Sequence, residues 1–212
     1  MSDNTNTESS LKIIFLGESG VGKTNIINVV MGKPFQENSY SSISSSYYEG
    51  TFNYQNKEYP YVLWDTAGQK SYRSLNKMFM KNSKIIIFVF SIDNRKSFQE
   101  LDFWINSVKD EIKENCVMAI IGNKSDLFDK QIVLEEEAED FAKKHGMKLK
   151  ISSALNDAFG LKNFVEELIL DYIKGNFGKI NNEKVITDYY EKNDQKNYFL
   201  MNKGKEKKKK CC

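Results

Sequence analysis

Apolar residues fall along the chain in two alternating patterns. Ile13 to Leu16, Ile85 to Phe90 and Val117 to Ile121 are unbroken apolar blocks, as expected of strands buried on both faces. Between and after them, apolar residues recur at helical spacing. This holds for Asn25 to Met31, for positions 98, 101, 105, 108 and 112 within Ser97 to Lys113, and for Val133 to His145, where Gly146 supplies the stop. Lys148 to Ile151 predicts a last strand, and Leu161 to Lys174 a last helix. Thr51 to Tyr54 and Tyr59 to Trp64 flank Gln55-Asn56-Lys57-Glu58, predicting a hairpin in which the missing N–H of Pro60 costs little. Strands alternating with helices predict an α/β fold, a mostly parallel six-stranded sheet with helices on both faces. Ligands on such sheets sit at the carboxyl ends of the strands, which directs attention to the segments following each apolar block.

After the first strand comes Gly17-Glu18-Ser19-Gly20-Val21-Gly22-Lys23-Thr24. This is a complete phosphate-binding loop, set between a strand and a helix. Its glycines let successive backbone N–H groups face an oxyanion without an intervening side chain. Lys23 is placed to reach the β- and γ-phosphates, the Thr24 hydroxyl to ligand magnesium, and the helix offers its positive end. The second hairpin strand ends in Asp65-Thr66-Ala67-Gly68-Gln69. There a carboxylate can hold magnesium, and Gly68 lets a backbone N–H approach the γ-phosphate. The third block ends in Asn123-Lys124-Ser125-Asp126. Alone this short pattern also reads as a polar turn. Downstream of a phosphate loop, the Asp126 carboxylate suits guanine, since it can accept from both N1–H and the exocyclic amine, whereas adenine offers no such donor pair.

Composition and charge narrow the classes. At 212 residues and 40% hydrophobic, the chain fits one domain plus a tail. Residues 203–210 hold six lysines and one glutamate, so the formal net charge of +2 hides a mildly acidic remainder. Such a body is a poor nucleic-acid binder, whereas its basic end suits an anionic membrane surface. The polar N-terminus has no signal-peptide core, and the longest apolar run is too short to cross a bilayer. Of three cysteines, Cys116 is isolated and reads as a buried hydrophobe, while Cys211 and Cys212 are adjacent, and nothing suggests a disulfide framework. Cys-Cys could also be a metal or redox pair, although the tail offers no further ligands. His145, near a helix end, reads as surface solvation and nothing more.

Gly17 to Thr24, Trp64 to Gln69, Asn123 to Asp126 and Ser153-Ala154 occur in the order and spacing of a Ras-superfamily small GTPase. Trp64 before Asp65, together with the terminal Cys-Cys, resembles the Rab branch. The likeness covers residues 11–175, with 1–10 as a disordered N-terminus and 176–212 as a flexible tail. It implies a P-loop GTPase domain that binds GTP and GDP with Mg2+ and hydrolyses one to the other as a membrane-anchored switch in vesicle-mediated transport. Gln69 matches the glutamine that orients attacking water. Asn123 matches the residue that ties the base loop together, and the Lys124 stem would lie along the ring. Ser153, Ala154 and Leu155 match the last base loop, with the Ala154 N–H meeting the guanine O6. Phe35, twelve residues after Lys23, matches an aromatic ring against the guanine, although a core phenylalanine is the alternative.

The chain departs from the family in its first switch. Ser42-Ile43-Ser44 stands where threonine, isoleucine and glycine are usual. Ser42 keeps a hydroxyl for magnesium, but the change leaves open a nucleotide-locked scaffold with little hydrolysis. An ATP-using P-loop kinase is disfavoured by Asn123 to Asp126. Lys70, Ser91, Leu155 and the stretch Met78 to Asn82 also depart from the Rab pattern. The resemblance implies a monomer served by an exchange factor, a GTPase-activating protein, effectors, a GDP-dissociation inhibitor and prenylation machinery. Cys211 and Cys212 would carry geranylgeranyl groups. The expected location is the cytoplasmic face of intracellular membranes, with a soluble cytosolic pool.

Overall fold

Leu11–Leu16 forms the central strand β1, because Ile13 to Leu16 have no exposed surface and can bury both faces only in mid-sheet. The structure, a computed structural model, describes residues 10–37, 45–68, 78–112 and 115–177. Helix α1 (Lys23–Val30) follows β1, then β2 (Ser46–Tyr54), β3 (Lys57–Asp65) and β4 (Ile85–Ser91). Helices α2 (Arg95–Gln99) and α3 (Leu101–Glu111) lead to β5 (Val117–Asn123) and a 3-10 segment at Ser125–Lys130. Helix α4 (Glu135–His145), β6 (Lys148–Ile151) and α5 (Ala158–Ile173) complete the order.

The six strands lie in the order β2-β3-β1-β4-β5-β6. All neighbours pair in parallel except β2 and β3, the expected hairpin. Successive side chains of the central strands point to opposite faces. Ile14, Leu16, Ile86, Phe88, Phe90 and Ile120 form one core cluster with Trp104, Ile105 and Val108 of α3 and Ala138 and Ala142 of α4. The alternate residues Ile13, Phe15, Ile85, Ile87 and Val89 are equally buried. Helices α1 and α5 pack on one another and on the sheet. No helix among the described residues is long and apolar enough to cross a membrane.

Several local expectations need correction. The hairpin turn is the two residues Gln55 and Asn56, both at positive φ, and not the four residues 55–58. Strand β2 begins at Ser46 and not at Thr51. The stripe from 97 to 113 is two helices meeting at Glu100, the first capped by the Asn94 side chain, which accepts from the Ser97 N–H. Helix α5 begins at Ala158, capped by Asp157, which accepts from the Gly160 N–H at 2.9 Å. His145 is not merely solvated. Its ring lies tilted against Phe141 with centroids 4.5 Å apart, its Nε2 lies 3.5 Å from Asp102 of α3, and burial lowers its pKa. Cys116 is half-buried against the core, and burial raises its thiol pKa.

Candidate nucleotide site

At the carboxyl ends of β1, β3 and β5 and beside β6 lies a cavity of about 340 Å³. Its lining comes from five separate stretches: the phosphate loop, Phe35 and Glu37, Thr66 and Gly68, and the two loops after β5 and β6. Ser19, Gly20, Gly22, Lys23 and Thr24 reach its surface. Gly17, Glu18 and Val21 serve it from behind through their carbonyls. Lys23 Nζ donates to Gly17 O and Glu18 O, each at 2.9 Å, so the ammonium is held across the loop. Burial lowers its pKa to about 8, while the Asp65 and Glu18 carboxylates pull the other way.

The loop geometry depends on glycine where other backbone or side chains come close. Gly22 has φ 96, and a Cβ there would lie 2.3 Å from Asn123 Nδ2. A Cβ on Gly68 would lie 2.5 Å from the backbone of Glu18 and Ser19. The Asp65-to-Gly68 turn therefore rests directly on the phosphate loop. Thr66, which sequence reasoning does not single out, ties this turn down by donating its hydroxyl to Phe15 O at 2.6 Å.

The Thr24 hydroxyl donates to Asp65 Oδ2 at 2.8 Å, joining residues 41 apart in sequence. A hydroxyl and a carboxylate in contact beside a phosphate cradle form an oxygen donor set that fits magnesium, which takes few protein ligands and shares the rest with substrate phosphates and water. Ser42 and Gln69 lie outside the described residues, as do Lys70, Cys211 and Cys212.

Asn123 joins the two ends of the cavity. Its Nδ2 donates to Val21 O at 2.9 Å and its Oδ1 accepts the Ala154 N–H at 3.0 Å. The Ala154 N–H is thus held by Asn123 in this structure. Ser153 acts from one layer back. Its hydroxyl donates to Asp126 Oδ1 and accepts the N–H of Leu155 at 3.1 Å and of Asn156 at 3.2 Å. Asp126, Lys124, Ala154 and Leu155 line the cavity, and Lys124 sits at φ 67. Phe35 also lines it, half-buried, which disposes of a core role. Leu127, Glu37 and Asn25 are lining residues that carry no motif signal.

One flank of β3 carries an aromatic row. Tyr47 and Phe79 lie on either side of Trp64, with centroids at 5.6 and 5.5 Å, and Lys12 Nζ stands 4.9 Å from the Trp64 ring. Met78 is exposed and Met80 buried, so the divergent 78–82 stretch presents one methionine to the surface and one to the core.

Fold and cavity together define a P-loop nucleotide-binding protein. Comparison with known proteins narrows this further. The family model described as Ras family matches residues 12–174. Human Ras-related protein Rab-22A is 36% identical over 132 residues, covering 62% of this chain and 68% of that protein. Ras-related protein RABF2b of Arabidopsis thaliana is 32% identical over 149 residues, or 70% and 74% of the two chains. The chain belongs to the Ras family, on its Rab branch, and is a small GTPase.

Proposed function

We propose that the chain cycles between GTP- and GDP-bound states at this cavity and acts as a membrane-attached switch in vesicle traffic. The observation that carries the reading is the assembly, around one cavity, of a phosphate loop closed by Lys23, a Thr24–Asp65 oxygen pair and an Asp126 carboxylate. Lys23, released from its two carbonyls, would bind the β- and γ-phosphates, and the loop's N–H groups would take the remaining oxygens. Thr24 and Asp65, with Ser42 in the triphosphate state, would hold magnesium. A magnesium ion held by these oxygens would supply positive charge to offset that of the phosphates. Asp126 would accept from guanine N1–H and the exocyclic amine, with the Lys124 stem and Phe35 against the ring. Gln69 would orient the water that attacks the γ-phosphorus in line, releasing phosphate and leaving GDP.

The chain holds two arginines. Arg95 is bound to Glu137 and, at 2.8 Å, to Ile132 O, and Arg73 lies outside the described residues. Unassisted turnover should then be slow, on the order of 10⁻⁴ s⁻¹, with a partner supplying the missing positive charge. Cys211 and Cys212 would carry two prenyl groups. Each buried CH₂ contributes about 0.8 kcal/mol, and two chains meet the requirement for stable anchoring, with the lysine run adding attraction to anionic lipid. Exchange factor, activating protein, effectors, GDP-dissociation inhibitor and prenylation machinery are the implied partners. Rab-22A and RABF2b, by their names, belong to the same branch, which supports the trafficking role.

The test is GTP hydrolysis by the purified, magnesium-loaded protein and by Gln69→Leu, with bound nucleotide identified by chromatography. Slow GTP-to-GDP conversion in the parent, with partner-stimulated hydrolysis lost in Gln69→Leu and binding kept, supports the cycle. Tight guanine binding with no conversion would favour the nucleotide-locked scaffold that Ser42 and Ser44 leave open. Restoring Thr at position 42 would then be the next substitution.

A further inference from the structure

We infer that Asn25 is the positioning residue that holds Phe35 in the nucleotide cavity, an inference that rests on the guanine-site reading above. Asn25 is the second residue after Lys23 and is only 7% exposed. Its side chain makes two bonds to one residue across the loop: Nδ2 donates to Gln36 O at 3.0 Å, and Oδ1 accepts the Gln36 N–H at 3.1 Å. A primary amide therefore pairs with the backbone as a neighbouring strand would, and it needs both its donor and its acceptor to do so.

The other end of the segment is also fixed. Gly32 N–H donates to Val29 O at 3.1 Å and Lys33 N–H to Asn28 O at 2.8 Å, closing α1. The Lys33 ammonium lies 4.2 Å from the Tyr48 ring of β2. Between these anchors stand only Pro34, whose φ is fixed by its ring, and Phe35. Phe35 and Asn25 both line the cavity, so the same side chain that borders the phosphate end dictates where the ring stands. With Asn25 replaced by an aliphatic residue, the α1 cap still ends the helix but Gln36 loses both of these bonds. The ring is then free to leave, and bound nucleotide escapes faster.

The experiment is dissociation of fluorescent GDP from the full-length, magnesium-loaded protein, in Asn25→Ala, Asn25→Leu, Phe35→Ala and the Asn25→Ala/Phe35→Ala pair. Asn25→Leu keeps the buried volume, so a packing defect in Asn25→Ala does not decide the result. Both Asn25 variants should release GDP faster by on the order of tenfold, the scale set by losing one to two hydrogen bonds. In the Phe35→Ala background the Asn25 change should add little, because the ring it positions is gone. A role confined to helix stability would instead give full additivity, and that result overturns the inference. Wild-type release in both Asn25 variants, with fast release in Phe35→Ala, overturns the clamp while sparing the guanine site. Wild-type release in Phe35→Ala removes the ring from the site, and the inference with it.

Discussion

Lys23 shows how strongly a site shapes a single group. Held by two carbonyls and nearly free of solvent, its ammonium is desolvated, which lowers the pKa to about 8. A phosphate opposite the ammonium favours its charged form, so binding raises the pKa again. Below pH 8 the free protein already carries the proton. Above pH 8 nucleotide must be bound with proton uptake, and affinity should fall, approaching tenfold per pH unit. GDP affinity measured from pH 7 to 9 should bend downward near 8, and a flat profile would show that Lys23 titrates elsewhere. Gly68 gives a second residue-scale expectation. A methyl there meets Glu18 and Ser19 backbone at 2.5 Å, so Gly68→Ala must displace the turn that would, in the proposed cycle, approach the γ-phosphate. Affinity for a GTP analogue should drop at least tenfold, with GDP affinity far less affected. Equal losses for both would mean that the turn does not sense the γ-phosphate.

At the scale of elements, the sequence is legible where chemistry and burial coincide. β1, β4 and β5 stand out because parallel strands covered on both faces must be apolar throughout. The beginning of β2 is invisible for the opposite reason. It is an edge strand with largely exposed side chains, and its register comes from backbone pairing with β3, Ser46 opposite Asp65 through Tyr54 opposite Lys57. The break at Glu100 is hidden because α2 and α3 share one apolar stripe. The site motifs were readable as residues, but not how they brace one another. Asn123 is the clearest case, since its two bonds join the phosphate loop to the loop after β6. Asn123→Ala would leave the Ala154 N–H and Val21 O buried without their partner, at about 1–3 kcal/mol each. At about 2–4 °C per kcal/mol, melting should fall by roughly 4–24 °C, together with guanine affinity. An unchanged melting temperature would show that the two loops hold their places independently.

Across the whole molecule, the cavity lies where five of the connecting segments of one sheet converge, and no single element contains it. Residues from Ser19 to Leu155 share its lining, so a ligand that touches all of them ties together parts of the chain otherwise joined only through the core. Such a ligand binds the folded chain and not the unfolded one, and stabilises it by mass action. At 1,000 times its dissociation constant it contributes about 4 kcal/mol. For a chain of this size that corresponds to a rise of roughly 8–16 °C in melting temperature. The rise should be specific for base as well as phosphate, because Asp126 presents a carboxylate that only guanine meets with two donors. GDP and GTP with magnesium should both raise the melting temperature of nucleotide-stripped protein, and ATP at the same concentration should leave it nearly unchanged. Chelating magnesium should shrink the guanine effect, since the Thr24–Asp65 pair would then lack the cation it would hold in the proposed site. An equal shift from ATP would overturn the guanine assignment while leaving the phosphate loop in place.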